Sequence, residues 1–136
     1  MEELIVLANM IKNLDSDLQD VYINFIDRAN QKNVGIFQHE RPAINTIGGP
    51  QNKGYSIKPV RIILRYNEDA IESYDKVIKI HRMLKEYPLD SNPPIRYFNL
   101  LDEEPIFLGR GGIGEAYVAG GNIVEYTIRV DILITI

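Results

Sequence analysis

The sequence predicts an α+β fold: a mostly antiparallel sheet of four or more strands with two helices packed on one face. Two segments carry apolar residues at helical spacing, and several others alternate apolar with polar residues, as strands do. The segments follow one another as helix, strands, helix, strands. This order is typical of α+β domains, in which helices cover one face of an antiparallel sheet.

The most regular alternation is in the last segment, Ile123 to Ile136. Its even-numbered residues are all apolar, whereas its odd-numbered residues from Glu125 to Thr135 are polar except for Leu133. We therefore expect a central strand with one buried and one solvent-facing side. Fully extended, it would span about 45 Å, against a diameter of roughly 37 Å for a domain of this size. Either the strand bends, or part of it contacts a neighbouring chain.

The N-terminal third begins with an amphipathic helix, predicted over Glu2 to Leu14 from apolar residues three and four positions apart. Val21–Ile26 has the composition of a strand. Ile36 and Phe37 are predicted to lie on its partner strand, after the turn-rich stretch Asn30–Gly35.

The middle third holds a second long strand and a second helix. Alternation predicts the strand over Tyr55–Tyr66, and Pro59 near its start favours an edge position or a bulge. Asp69, followed three residues later by Glu72, fits the start of a helix that Pro88 ends. One face of this helix is apolar.

The remaining segments are a third strand, Ile95–Leu101, and a short apolar run, Pro105–Leu108, separated by the acidic Asp102–Glu104. Two stretches are rich in glycine, proline or amide residues: Gln38–Gly54 and Gly109–Gly121. We expect both to be long loops, which in compact domains are usually functional or disordered.

Composition fits one domain over residues 1–136 and excludes several classes of function. The net charge of −4 argues against general nucleic-acid binding, and the absence of cysteine excludes disulfides and thiolate metal sites. No apolar run is long enough to span a membrane, and the first residues carry no positive leader. Synthesis inside a cell, without membrane contact, is the expectation.

No catalytic or cofactor-binding set is predicted. Gly109, Gly111 and Gly114 match the G-x-G-x-x-G spacing, but dinucleotide binding needs a helix after it, and a strand follows here. The acidic Asp102–Glu104 is expected to be a solvated turn. His81 lies on an apolar helix face, which predicts a core or interface histidine. We therefore predict neither an enzyme nor a metal or cofactor site.

Charged residues on the strands and in the first loop are the candidates for interaction. Arg61 and Arg65 share one side of their strand, and Arg129 lies on the polar side of the last strand. They are expected either to form cross-strand ion pairs or to meet acidic groups of a neighbouring subunit. Further candidates are Arg110 and the loop residues His39, Glu40 and Arg41.

Three segments resemble the minor capsid or tail-terminator proteins of long-tailed bacteriophages. They are Lys58–Arg65 before an acidic-capped helix, Pro105–Arg110 before a glycine-rich turn, and Glu125–Asp131. The order of elements is similar over nearly the whole chain. The longer Gly111–Asn122 departs from the short charged turn of that family.

The resemblance implies a virion structural protein at the head–tail junction, made in the host cytoplasm from a phage or prophage gene. It implies a ring in the virion, commonly hexameric, built from subunits that can be monomeric in solution, with the tail-tube protein and the head connector as partners. Two alternatives stay open. One is a head–tail connector (stopper) protein, and the other is a small-molecule-binding or enzymatic domain with loops 38–53 and 109–122 as a lid.

Overall fold

The computed structural model describes residues 1–38, 55–110 and 122–135. These residues form two helices, α1 (Glu2–Leu14) and α2 (Ala70–Lys85), and a six-stranded sheet. The strands are β1 (Asp20–Ile23), β2 (Asn33–Gln38), β3 (Tyr55–Arg65), β4 (Ile95–Leu100), β5 (Ile106–Arg110) and β6 (Val124–Thr135). The predicted α+β class and both predicted helices are confirmed.

The centre of the sheet is an antiparallel ladder between β3 and β6, which runs from Tyr55 opposite Thr135 to Arg65 opposite Glu125. The strand order is β1-β2-β3-β6-β4, and β5 also pairs with β6. β2 pairs with β3 only as far as Val60, so Pro59 lies one residue beyond the last β2 pair. β3 itself lies between β2 and β6, and Pro59 pairs with Asp131 of β6 without a register shift. The predicted edge strand or bulge at Pro59 is therefore not observed among the described strand pairs.

The two N-terminal strands are parallel, whereas every other described strand pair is antiparallel, as expected of a mostly antiparallel sheet. β2 also begins at Asn33, inside the stretch that was predicted to be a turn. The cause is the connection 24–32, which crosses from β1 to β2 over one face of the sheet. A Cβ on Gly35 would lie 2.5 Å from the carbonyl oxygen of Phe25, so the crossing backbone requires glycine at this strand position.

The core lies between the helices and one face of the sheet, called here the inner face. The even-numbered residues of β6 from Val124 to Ile132 are buried there, as predicted from their alternation. α1 packs over β1, and α2 packs over β4 and β6. Asp69 caps α2 by accepting hydrogen bonds from the backbone N–H groups of Ile71 and Glu72.

A polar contact joins the end of α1 to the middle of α2. The Lys76 ammonium donates to Asp15 at 2.7 Å and to Asp17 at 3.2 Å, and Lys79 reaches Asp15 at 3.3 Å. Burial alone would raise the pKa of Asp15, but these hydrogen bonds outweigh it and lower that pKa to about 2. The pKa of Lys76 is raised, chiefly by its hydrogen bond to Asp15.

The opposite side of the sheet, the outer face, was predicted to be wet along β6. That prediction is wrong for three of its residues, because Glu125, Thr127 and Asp131 are buried. Glu125 lies beneath the connection 24–32, whose Arg28 bonds to it. Arg129 is exposed, as expected.

β4 and β5 share one edge of β6. β4 pairs with residues 130–134 of β6, and β5 pairs with residues 124–127. Both are antiparallel to β6, so together they form a single edge strand interrupted at residues 101–105. We call residues 95–110 the β4–β5 edge. In the part of the chain described above, no helix has the length and apolar character needed to cross a membrane.

Candidate interaction surface

One half of the outer face is closed by a buried ion pair. The Arg65 side chain is about 1% exposed, and its Nη1 donates to Glu125 at 2.9 Å. Its other nitrogens donate to the carbonyl oxygens of Arg28 at 2.8 Å and Asn30 at 3.2 Å. Arg65 therefore fastens the connection 24–32 to the sheet.

The same connection is held from β2. The Asn33 amide donates to the carbonyl oxygens of Asp27 and Asn30, and its oxygen accepts from the backbone N–H of Asp27. Three hydrogen bonds on one buried side chain fix the path of the connection over the sheet. Of the two alternatives left open for Arg65, the cross-strand ion pair is the one observed, and burial keeps its guanidinium from reaching another subunit.

The other half of the outer face, called here the open half, holds the exposed Arg61 and Arg129 beside the buried Asp131, and its charges are arranged differently. Arg61 lies directly opposite Arg129 in the β3–β6 ladder. Residues opposite each other on one face of a sheet have Cβ atoms about 5 Å apart, close enough for like charges to repel. Arg61 is exposed and has no hydrogen-bond or ion-pair partner among the described residues.

Arg129 is neutralised by Asp102, which lies in the interruption of the β4–β5 edge. Its Nε and Nη2 donate to the two carboxylate oxygens of Asp102 at 2.9 and 2.7 Å. Such a bidentate contact fixes the plane of both groups. The hydrogen bonds from Arg129 lower the pKa of Asp102, so the carboxylate stays ionised. The predicted ion pairing of Arg129 is thus found, with a partner outside the strands.

The backbone of Asp102 contacts helix α2. The carbonyl oxygen of Asp102 lies 3.2 Å from Nε2 of His81, which is buried on α2 as its place on an apolar helix face predicted. The backbone N–H of Leu101 donates to the carbonyl oxygen of Arg129. The turn 101–105 is therefore anchored both to the helix and to β6.

The β4–β5 edge is unusually apolar for a sheet edge. Four of the ten large apolar side chains that are exposed in the described part of the chain lie on it: Tyr97, Leu101, Ile106 and Phe107. Tyr97 and Ile106 pair with odd-numbered residues of β6, so they share the outer face with Arg129. Edge strands normally carry charges or prolines that discourage pairing. On this edge the charged residues lie near its two ends, at Arg96 and Arg110, and in the turn, at residues 102–104.

An open cleft of about 540 Å³ borders the turn 101–105. The residues that line it come from α2, β4 and the turn itself: His81, Lys85, Tyr97, Phe98, Asn99, Leu100, Leu101, Asp102, Glu103 and Glu104. The alternative of a ligand-binding domain places a pocket near Gly109–Gly121 instead. Most of both proposed lid loops, 38–53 and 109–122, lies outside the described residues. Among the described residues, no cluster of three His, Asp or Glu side chains is placed to hold a metal ion.

The structure separates the predicted interaction residues. Arg61 and Arg129 come together on the open half of the outer face, while Arg65 is buried at the other end of β3. Arg110 donates to the carbonyl oxygens of Glu68 and Asn122, so it joins β5 to the segments before α2 and β6. His39, Glu40 and Arg41 lie outside the described residues.

Sequence reasoning missed the apolar edge. The signal was present in Ile95–Leu101, where the odd-numbered Tyr97 and Leu101 and the even-numbered Phe98 and Leu100 are all apolar. Apolar residues at both odd and even positions indicate a strand with two apolar faces.

No family model matches the chain, and no curated protein is significantly similar to it in sequence.

Proposed function

We propose that this protein is a structural subunit that assembles into a ring through the β4–β5 edge, as a tail terminator does at the head–tail junction of a long-tailed phage. The observation that carries the proposal is the concentration of exposed apolar side chains on a sheet edge that pairs with no further strand among the described residues. The resemblance of Lys58–Arg65, Pro105–Arg110 and Glu125–Asp131 to tail terminators supports the finer assignment. In the virion, the ring closes the tail tube and meets the head connector.

The chemistry of the edge favours a protein partner. Its outward backbone groups have no strand beside them in the described part of the sheet, and its apolar side chains gain about 25 cal/mol per Å² when a partner covers them. A large exposed apolar patch normally marks an interaction site.

A ring also needs contacts of a particular kind. Rings form when one patch of a subunit binds a different patch of the next, and the rotation closes. The β4–β5 edge and the open half of the outer face are two such patches, since the first exposes mainly apolar side chains and the second exposes Arg61 and Arg129. The stopper alternative uses similar contacts, and it stays an alternative prediction.

Self-association is the first test of the proposal. Light scattering over a range of concentrations, with and without isolated tail tubes, should show an oligomer that Tyr97→Lys weakens, because a lysine on the edge opposes pairing. Ile5→Lys is the matched control, since Ile5 is exposed on α1, which packs over β1 at the opposite edge of the sheet. Equal weakening by both variants would count against the edge as the interface.

The virion role is tested in the phage or prophage that carries the gene. When the gene is deleted, electron microscopy should show tails of abnormal length that do not join heads. Tails of normal length that still join heads would overturn the head–tail assignment, whatever the oligomeric state of the isolated protein.

A further inference from the structure

The open half of the outer face contains a positive charge without a partner, on a surface that is otherwise apolar or neutralised. Arg61 lies opposite Arg129, and Arg129 forms a bidentate ion pair with Asp102. Like charges opposite each other on a sheet destabilise it. Asp131, a diagonal neighbour of Arg61 in the same ladder, is buried and has a contact of its own. Arg61 forms no ion pair with it or with any other described residue.

Two negative charges without partners lie nearby, on the interruption of the edge. Glu103 and Glu104 are exposed and make no hydrogen bond or ion pair among the described residues. They follow Asp102, whose carboxylate is held by Arg129 and whose carbonyl oxygen contacts His81. The backbone that presents the two carboxylates is thus fixed before any partner arrives, which lowers the entropic cost of binding.

These charges do not pair within one molecule. β6 lies between β3 and the β4–β5 edge, so Arg61 is two strand spacings, or about 10 Å, from the edge. Arg129 and Asp102 occupy the intervening space with their own contact. The complementary charges are therefore placed to meet only when a second molecule brings its edge over the open face.

The surroundings of Arg61 fit such a contact. Phe37 on β2 is opposite Arg61 and is half-buried, and Tyr97 lies on the same face. An apolar area with a few charges that find opposite charges on the partner is the usual composition of a specific interface. A nucleic acid is a poor fit, because Glu103 and Glu104 would repel its phosphates and the net charge is −4.

We propose that the Glu103–Glu104 carboxylates of one protomer bind Arg61 on the outer face of a second copy, so that this ion pair sets the orientation of each subunit contact. The inference rests on the self-association proposed above and adds the residues that direct it. Because each molecule carries both halves of the contact, the same pairing repeats from subunit to subunit.

Charge reversal tests the proposal directly. Arg61→Glu alone, and Glu103→Arg with Glu104→Arg alone, should each weaken self-association roughly tenfold or more, because each places like charges in contact. The chain carrying all three substitutions should associate within a few-fold of the unmodified protein. Arg82→Glu is the control, since it makes the same charge change on the exposed side of α2.

A mixing experiment separates contacts between molecules from contacts within one. Neither reversed chain associates well alone, but an equimolar mixture should, because each chain supplies the charge that the other lacks. A pair formed within one molecule would not be rescued by mixing. Analytical ultracentrifugation of the separate chains and of the mixture measures this.

The two proposals fail in different ways. If the unmodified protein associates but charge reversal leaves its association constant unchanged, or if mixing gives no rescue, the ion-pair inference is overturned and ring assembly is not. If the unmodified protein stays monomeric at every concentration and in the presence of tail tubes, both are overturned.

Discussion

Glu125→Gln should destabilise the protein more than any exposed charge removal, because Glu125 is buried and accepts from two arginines. Its Oε2 lies 2.9 Å from Nη1 of Arg65 and 3.3 Å from Nη1 of Arg28. Breaking a buried ion pair by removing one partner typically costs about 3–5 kcal/mol, since the other charge stays buried. The amide retains one acceptor oxygen, so we expect the lower end, about 3 kcal/mol.

The control is a surface ion pair on the same strand. Asp102→Asn removes the partner of Arg129, whose side chain is 46% exposed. Exposed ion pairs contribute only about 0–1 kcal/mol, so the expected loss is below roughly 1 kcal/mol. Urea unfolding followed by circular dichroism measures both free energies of unfolding on the same scale.

A double variant tests the physical cause. Arg65→Met with Glu125→Leu removes both fully buried charges, and its cost should be smaller than that of Glu125→Gln, because Arg28, the other donor to Glu125, is partly exposed to solvent. Some cost is expected to persist, since the carbonyl oxygens of Arg28 and Asn30 lose their donor. The reasoning is refuted if Glu125→Gln and Asp102→Asn destabilise equally.

Local patterns were enough to predict the elements. The bounds of α1 and the start of β3 agree with the prediction, because helical and strand periodicity depend on neighbouring residues. Asp69 was recognisable as a cap for the same reason. These features are set by a few residues in sequence and need no knowledge of the rest of the chain.

Burial of the polar residues on β6 was not predictable in this way. Glu125 and Thr127 alternate with apolar residues as a solvent-facing side does, yet both are buried. Glu125 is covered by the connection 24–32, whose Arg28 donates to it. That crossing depends on Gly35, whose missing side chain leaves room for the backbone at Phe25. Asn33 and Gly35 of β2 are residue types typical of turns, so this strand could not be predicted without knowing that the connection 24–32 packs over it.

The candidate interface depends on contacts between distant segments. Arg61 and Arg129 are opposite each other only through the register of β3 with β6, and Asp102 reaches Arg129 only because β4 and β5 share one edge. Sequence reasoning named both arginines but not their neighbours. Register across a sheet is a tertiary property, so the sequence could suggest these arginines as candidates but could not show which residues lie beside them.

Three further experiments test the packing that holds this surface in place. Gly35→Ala should cost about 1–3 kcal/mol in urea unfolding, since the new Cβ meets the Phe25 carbonyl oxygen at 2.5 Å and the backbone has to move. Asp69→Ala should cost about 1 kcal/mol through loss of the α2 cap, measured in the same assay. The third concerns Asp15, whose pKa of about 2 lies below the ordinary value of 3.8. A carboxyl whose pKa is lower in the folded state stabilises it above pH ~4, and that contribution, at most about 2 kcal/mol, is lost as pH falls through about 2. The free energy of unfolding, measured between about pH 5 and pH 2, should therefore fall less steeply with pH in Asp15→Asn than in the unmodified protein. Equal slopes of this free energy against pH would show that the contact between Asp15 and Lys76 does not control acid unfolding.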